Sequence, residues 1–85
     1  MNNYTIIFTK KTAKDCGKLT PQNKKKLKEI LLNKITHDPH AGKKLIGDLE
    51  GFYSVRLNYQ DRIVYSIDEE TITVCIHRTR THYGD

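Results

Sequence analysis

The sequence predicts an α+β fold, a small antiparallel β-sheet of about four strands with two N-terminal helices packed on one face, in the order β-α-α-β-β-β. Three observations carry this reading. A helix-start signal followed by apolar residues at helical spacing occupies residues 20–36. Three short runs of alternating apolar and polar residues fill the last third, separated by turn-forming residues. A β-branched and aromatic run, Tyr4-Thr5-Ile6-Ile7-Phe8, precedes both. Helices gathered ahead of a meander of strands are the pattern of a sheet covered on one side.

In chain order, residues 4–8 read as the first strand. Thr9 or Thr12 caps a brief helix through about Lys18, with Ala13, Cys16 and Leu19 on one side and Gly17 weakening its end. Thr20 is a good N-cap and Pro21 suits the first helical position, after which Leu27, Ile30, Leu31 and Ile35 repeat as i, i+3, i+4, i+8. This helix runs to about Thr36 and stops before Pro39. Its other face carries Lys24, Lys25, Lys28 and Lys34. Lysines in a first turn oppose the helix dipole, so that face is either plainly solvated or an electrostatic footprint. Residues 40–51 form a loop rich in glycine and charge. Strands over 52–58, 62–67 and 71–77 follow, joined by the turns Tyr59-Gln60-Asp61 and Asp68-Glu69-Glu70.

Eighty-five residues with no composition break make one domain over 1–85. A chain this short buries roughly 60–65% of its unfolded surface, which leaves one thin core and a site on a surface or in a shallow groove. Fifteen Lys and Arg against ten Asp and Glu give a net charge of +5, which favours an anionic partner. All eleven lysines lie between Lys10 and Lys44, and all four arginines lie from Arg56 onward. Lysine is a mobile point charge for diffuse attraction, whereas arginine presents a fixed fork to a phosphate. The first half therefore reads as a docking surface and the second as the place where a phosphate is held. The start has no signal-peptide character and no apolar run spans a membrane, so a reduced cytoplasmic protein with free Cys16 and Cys75 is expected. His37-Asp38-Pro39-His40 lacks metal-ligand spacing and reads as a solvated loop; no metal or cofactor is expected.

Strand parity locates the candidate site, because alternate side chains face opposite ways. Val55, Leu57, Ile63, Tyr65, Ile67, Ile72, Val74 and Ile76 should face the helices. The opposite set is Phe52, Ser54, Arg56, Arg62, Val64, Ser66, Thr73, Cys75 and His77. Two arginines and a histidine thus share one open face. The ending, His77 to Gly84, adds Arg78, Arg80, His82 and Tyr83 as a short tail at its edge. Imidazole moves protons near neutral pH and guanidinium binds phosphate oxygens.

The segment Leu49-Glu50-Gly51-Phe52-Tyr53-Ser54-Val55-Arg56-Leu57, the run Asp61-Arg62-Ile63-Val64-Tyr65 and the ending Arg80-Thr81-His82-Tyr83, in this order of elements, resemble the RelE/ParE superfamily of bacterial toxins, most of all its YoeB/Txe branch. The resemblance implies an mRNA interferase, the toxin of a toxin–antitoxin module. Such an enzyme cuts messenger RNA in the ribosomal A site, contacts the ribosome itself, and is silenced by a cognate antitoxin protein. RNA carries its own nucleophile, the 2′-hydroxyl, so cleavage needs a base, cations for the developing phosphorane charge, and an acid for the leaving oxygen. By this resemblance His82 is the general acid, Arg62 the principal phosphate clamp, Arg56 a second clamp, and Tyr83 a positioning residue. Lys43, Lys44, Arg78 and Arg80 are substrate-binding candidates.

The base is open. Where the YoeB pattern has a glutamate this chain has Lys43, which leaves Glu50, Asp48, Lys43 and Lys44, with His77 a further candidate by face. Two other functions compete. A ParE-type gyrase inhibitor is disfavoured by Arg62, His82 and Tyr83. A non-catalytic basic RNA-binding domain would use the lysine-rich helix as its main surface.

Overall fold

A computed structural model describes residues 3–79 of the chain. The helices begin where their caps sit. The Thr9 hydroxyl accepts from the Thr12 backbone N–H, and α1 runs over Lys10–Cys16. Thr20 does the same for Asn23, and with Pro21 at its first position α2 spans Pro21–Ile30. The helix then widens into a π-helical turn, Leu31–Ile35, closed by the Thr36 N–H on the Leu31 carbonyl. Leu27, Leu31 and Ile35 are buried as their spacing predicts, whereas Leu32 projects outward.

The sheet has five strands in the order β1-β5-β4-β3-β2. These are β1 Thr5–Phe8, β2 Lys43–Lys44, β3 Phe52–Arg56, β4 Arg62–Asp68 and β5 Thr73–Arg78. The antiparallel β3–β4–β5 meander is the expected one, and two features extend it. β1 lies parallel to β5, with Thr5 opposite Thr73, so the sheet is mixed. Such pairing needs a long crossover, which the helices and the meander supply. The charged loop expected over 40–51 also contains β2, antiparallel to β3. β3 stops at Arg56 because the Asn58 side-chain oxygen accepts from the N–H groups of Gln60 and Asp61, folding the turn early. β5 starts at Thr73 because Ile72 holds φ at 52°, a left-handed conformation costly for a β-branched residue.

The core packs Leu19, Leu27, Leu31 and Ile35 against Val55, Leu57, Ile63, Tyr65, Val74 and Ile76. Tyr65 is wholly buried and donates its hydroxyl to the Pro39 carbonyl at 2.6 Å. A Cβ on Gly42 would lie 2.1 Å from that hydroxyl oxygen, so only glycine fits there. The His37–His40 stretch is therefore anchored rather than a plain solvated loop. Pro39 is buried, His40 Nε2 lies 2.8 Å from a Glu69 carboxylate oxygen, and its ring meets Tyr4 and Tyr53 edge-on.

Candidate active site on the open face of the sheet

Register brings the site together. Lys43 stands opposite Ser54, Ser54 opposite Val64, and Arg56 opposite Arg62. Directly opposed residues project to the same side, so Lys43, Ser54, Arg56 and Arg62 share the face turned away from the helices. Lys43, Leu45, Ser54 and Arg62 line a shallow pocket of about 320 Å³. Like charges directly opposite each other destabilise a sheet by about 0.2–1 kcal/mol. The Arg56–Arg62 pair therefore costs stability, and an anion seated between the two guanidinium groups would offset that cost.

Ser54 adds a second unfavourable feature. It is 2% exposed, and its Oγ has no hydrogen-bond partner among the described residues. A buried hydroxyl left unpaired costs about 1–3 kcal/mol, and such groups recur where a ligand completes them. The sequence placed Ser54 on this face and gave it no role. Its signal lies in the Lys43–Ser54 register, which becomes visible only once β2 is recognised.

β5 contributes through an irregularity. Tyr65 pairs with Ile76 but Val64 pairs with Arg78, leaving His77 as the extra residue of a β-bulge. His77 faces the open side, with Nε2 2.9 Å from Ser66 Oγ and its ring centroid 4.8 Å from that of Phe52. Arg78 is exposed opposite Val64, a buried residue that lies outside the core cluster. Thr79 turns the other way, fully buried, with its hydroxyl 3.7 Å from Cys16 Sγ. The Thr12 hydroxyl donates to the His77 carbonyl and ties α1 to the bulge. Partial burial pulls the His77 pKa below the ordinary imidazole value, which favours the neutral ring. Arg78, expected just beyond the last strand, thus belongs to the sheet with His77.

The predicted residues separate accordingly. Lys43, Arg56 and Arg62 converge. Lys44 is opposite Tyr53, which packs against the core, so its side chain leaves on the other side. Asp48 lies in the 3₁₀ turn Gly47–Leu49 and Glu50 follows it; both are exposed and neither lines the pocket. Of the four base candidates only Lys43 lines it. Arg80, His82 and Tyr83 lie outside the described residues. Among the described residues no three His, Cys, Asp or Glu side chains gather as a metal site requires.

The helical side carries a different surface, an apolar groove of about 580 Å³ lined by Ile6, Phe8, Cys16, Leu27, Leu31 and Leu32, with Lys24 and Lys28 beside them. Among the described residues no helix is long and apolar enough to cross a membrane.

The family model of ParE-like toxins of type II bacterial toxin–antitoxin systems matches residues 6–83. The chain belongs to this toxin family. Toxin RelG of Mycobacterium tuberculosis is 34% identical to this toxin over 76 residues, 88% of this chain and 86% of the relative. The toxin in the M. tuberculosis RelBE2 toxin–antitoxin complex superposes with a TM-score of 0.82 at 33% identity, covering 94% of this chain and 98% of that one. The Staphylococcus aureus YoeB–YefM complex gives 0.74 at 30% identity, with the same coverage of 94% and 98%. Membership of the RelE/ParE superfamily, expected from the residues 49–84, therefore holds. The α+β fold of the toxin, two helices and a mixed five-stranded sheet, is that of its RelE-type neighbours.

Proposed function

We propose that this toxin is a ribosome-dependent endoribonuclease that cuts messenger RNA in the ribosomal A site. The observation that supports this reading most is the directly opposed Arg56–Arg62 pair beside a pocket shared with Lys43 and Ser54. In the reaction the 2′-oxygen attacks the adjacent phosphorus and loses its proton, while the bond to the 5′-oxygen breaks. The products are a 2′,3′-cyclic phosphate and a 5′-hydroxyl. Arg62 and Arg56 grip the non-bridging oxygens as their charge grows, and the unpaired Ser54 hydroxyl donates a further hydrogen bond. Lys43, the base candidate that lines the pocket, is assigned the proton of the 2′-hydroxyl. His82 protonates the departing oxygen and Tyr83 positions it, roles that rest on the sequence resemblance. Arg78 adds a cation on the same face, and Arg80 is assigned to substrate binding by the sequence resemblance. Every one of these steps uses the RNA's own nucleophile and side chains alone.

The same reading makes the toxin a cytoplasmic protein with a cognate antitoxin. An amphipathic, acidic antitoxin segment fits the apolar groove, where Lys24 and Lys28 supply complementary charge. In support, the RelBE2 and YoeB relatives form toxin–antitoxin complexes.

Incubation of the purified toxin with programmed ribosomes tests the activity. Message fragments with 2′,3′-cyclic phosphate ends are expected, and His82→Ala should lower the rate by about 10²–10⁴. Intact message together with inhibited gyrase would move the toxin to the ParE-type activity. Cleavage that survives both Arg62→Ala and His82→Ala would refute the assigned site.

A further inference from the structure

The open face carries one aromatic cluster that the cleavage chemistry does not use. Phe52 lies outside the core cluster, half-exposed on the side away from the helices. Its ring is tilted 59° to the His77 imidazole with centroids 4.8 Å apart. The imidazole is fixed in turn by the 2.9 Å contact between Nε2 and Ser66 Oγ, and Ser66 is the cross-strand partner of Phe52. Half-buried Cys75, opposite Ser66, and Val64 lie on the same face. Regular alternation with Cys75 sets His77 on this face, and the bulge in β5 brings Arg78 to it as well, opposite Val64. The result is a small aromatic surface of two mutually tilted rings on the face that also carries Arg56, Arg62 and Arg78.

Its position relative to the pocket is defined by the strand. Alternate residues of a strand are about 7 Å apart on one face. Phe52 is therefore one such step from Ser54, about 7 Å and comparable with the span from a nucleotide's phosphate to its base, and two steps, about 14 Å, from Arg56. Single-stranded RNA is bound by stacking unpaired bases on Phe, Tyr, Trp or His rings while cations hold the backbone.

We propose that Phe52 and His77 form a nucleobase subsite, which takes the base of a single-stranded RNA nucleotide whose phosphate lies in the pocket beside Ser54 and Arg62. The subsite rests on reading the pocket as a phosphate site. It makes Phe52 and His77 residues that hold the substrate in register and bias which nucleotide lies beside the cut. The apolar groove on the helical side, larger and walled by aliphatic residues, is the surface that suits a protein partner.

The test uses the whole toxin and two probes, adenosine 5′-monophosphate and ribose 5-phosphate, followed by NMR on the Phe52 and His77 ring protons. The nucleotide should bind roughly ten- to hundredfold more tightly than the sugar phosphate, the worth of one stacked base, and shift both rings. Phe52→Leu should remove that advantage while leaving ribose 5-phosphate binding unchanged, and Phe52→Trp should keep it. The sugar-phosphate arm shows in the same experiment that Phe52→Leu is folded. Equal binding of the two probes would overturn the subsite and leave the phosphate pocket standing. Binding of neither would overturn both. A nucleotide advantage that survives Phe52→Leu would place the base elsewhere and likewise overturn the assignment.

Discussion

Replacing Arg56 by threonine should make the toxin more stable and less active. Arg56 is exposed and directly opposite Arg62, so the field between them is close to that of water. Two unit charges about 6 Å apart repel by about 0.7 kcal/mol in water-like dielectric, reduced to about 0.3 kcal/mol at physiological ionic strength. Threonine removes the repulsion and keeps strand propensity. For a domain of this length a gain of that size raises Tm by about 2–4 °C at low to moderate salt. Thermal melts at low salt and at about 1 M salt form the assay, because at 1 M the Debye length falls to about 3 Å and the difference should vanish. Added phosphate should raise the Tm of the parent toxin and have less effect on Arg56→Thr, since a ligand stabilises only the state that binds it. Message cleavage by Arg56→Thr should fall. A destabilised variant, or a gain that persists undiminished at 1 M salt, would refute the claim that this pair is a stability cost borne for anion binding.

Gly42→Ala should destabilise the toxin by about 1–3 kcal/mol, because its Cβ meets the buried Tyr65 hydroxyl; denaturant unfolding measures the loss, and Tyr65→Phe in the same chain should recover part of it. Burial pushes the Tyr65 phenol up to about 12. The neutral phenol is thus favoured by folding, and its contribution is complete below the unfolded value near 10 and lost as pH rises through about 12; tyrosinate absorbance against unfolding checks it. His77 has the opposite sign: burial lowers its pKa, so stability should decline as pH falls below the ordinary imidazole range, and NMR titration should find His77 more acidic than an ordinary imidazole. Leu32→Asp should leave message cleavage intact and abolish neutralisation by the antitoxin in co-expression, because Leu32 is 52% exposed in the apolar groove.

The sequence made the core legible because period-2 and period-3.6 patterns each survive in the residues that face it. Val55, Leu57, Ile63, Tyr65, Val74 and Ile76 lie where parity put them, Thr20 caps the helix it was expected to cap, and Thr9 is the one of the two candidates, Thr9 and Thr12, that caps the other. The same parity placed Arg56 and Arg62 together. What it could not carry are features set by partners distant in the chain. A two-residue strand such as Lys43–Lys44 has no periodicity, so the separation of Lys43 from Lys44 waited on the register with Ser54 and Tyr53. The His77 bulge depends on how β4 and β5 dock, with the Thr12 hydroxyl bonded to the bulged backbone from α1. Parallel pairing of β1 with β5 is likewise a tertiary choice, since nothing in residues 5–8 names a partner sixty-eight positions away. Ser54 was on the right face but anonymous, because burial without a partner is a property of the packed protein.

That parallel ladder joins the two ends of the polypeptide, Thr5 through Phe8 against Thr73 through Ile76. During synthesis the first strand leaves the exit tunnel long before its neighbour has been made, and it stays without a sheet to enter. The face bearing Arg56 and Arg62 is braced on β5 through β4. It therefore takes shape only once β5 has emerged, so a nascent copy has no assembled arginine face while residues 73–78 are still inside the tunnel.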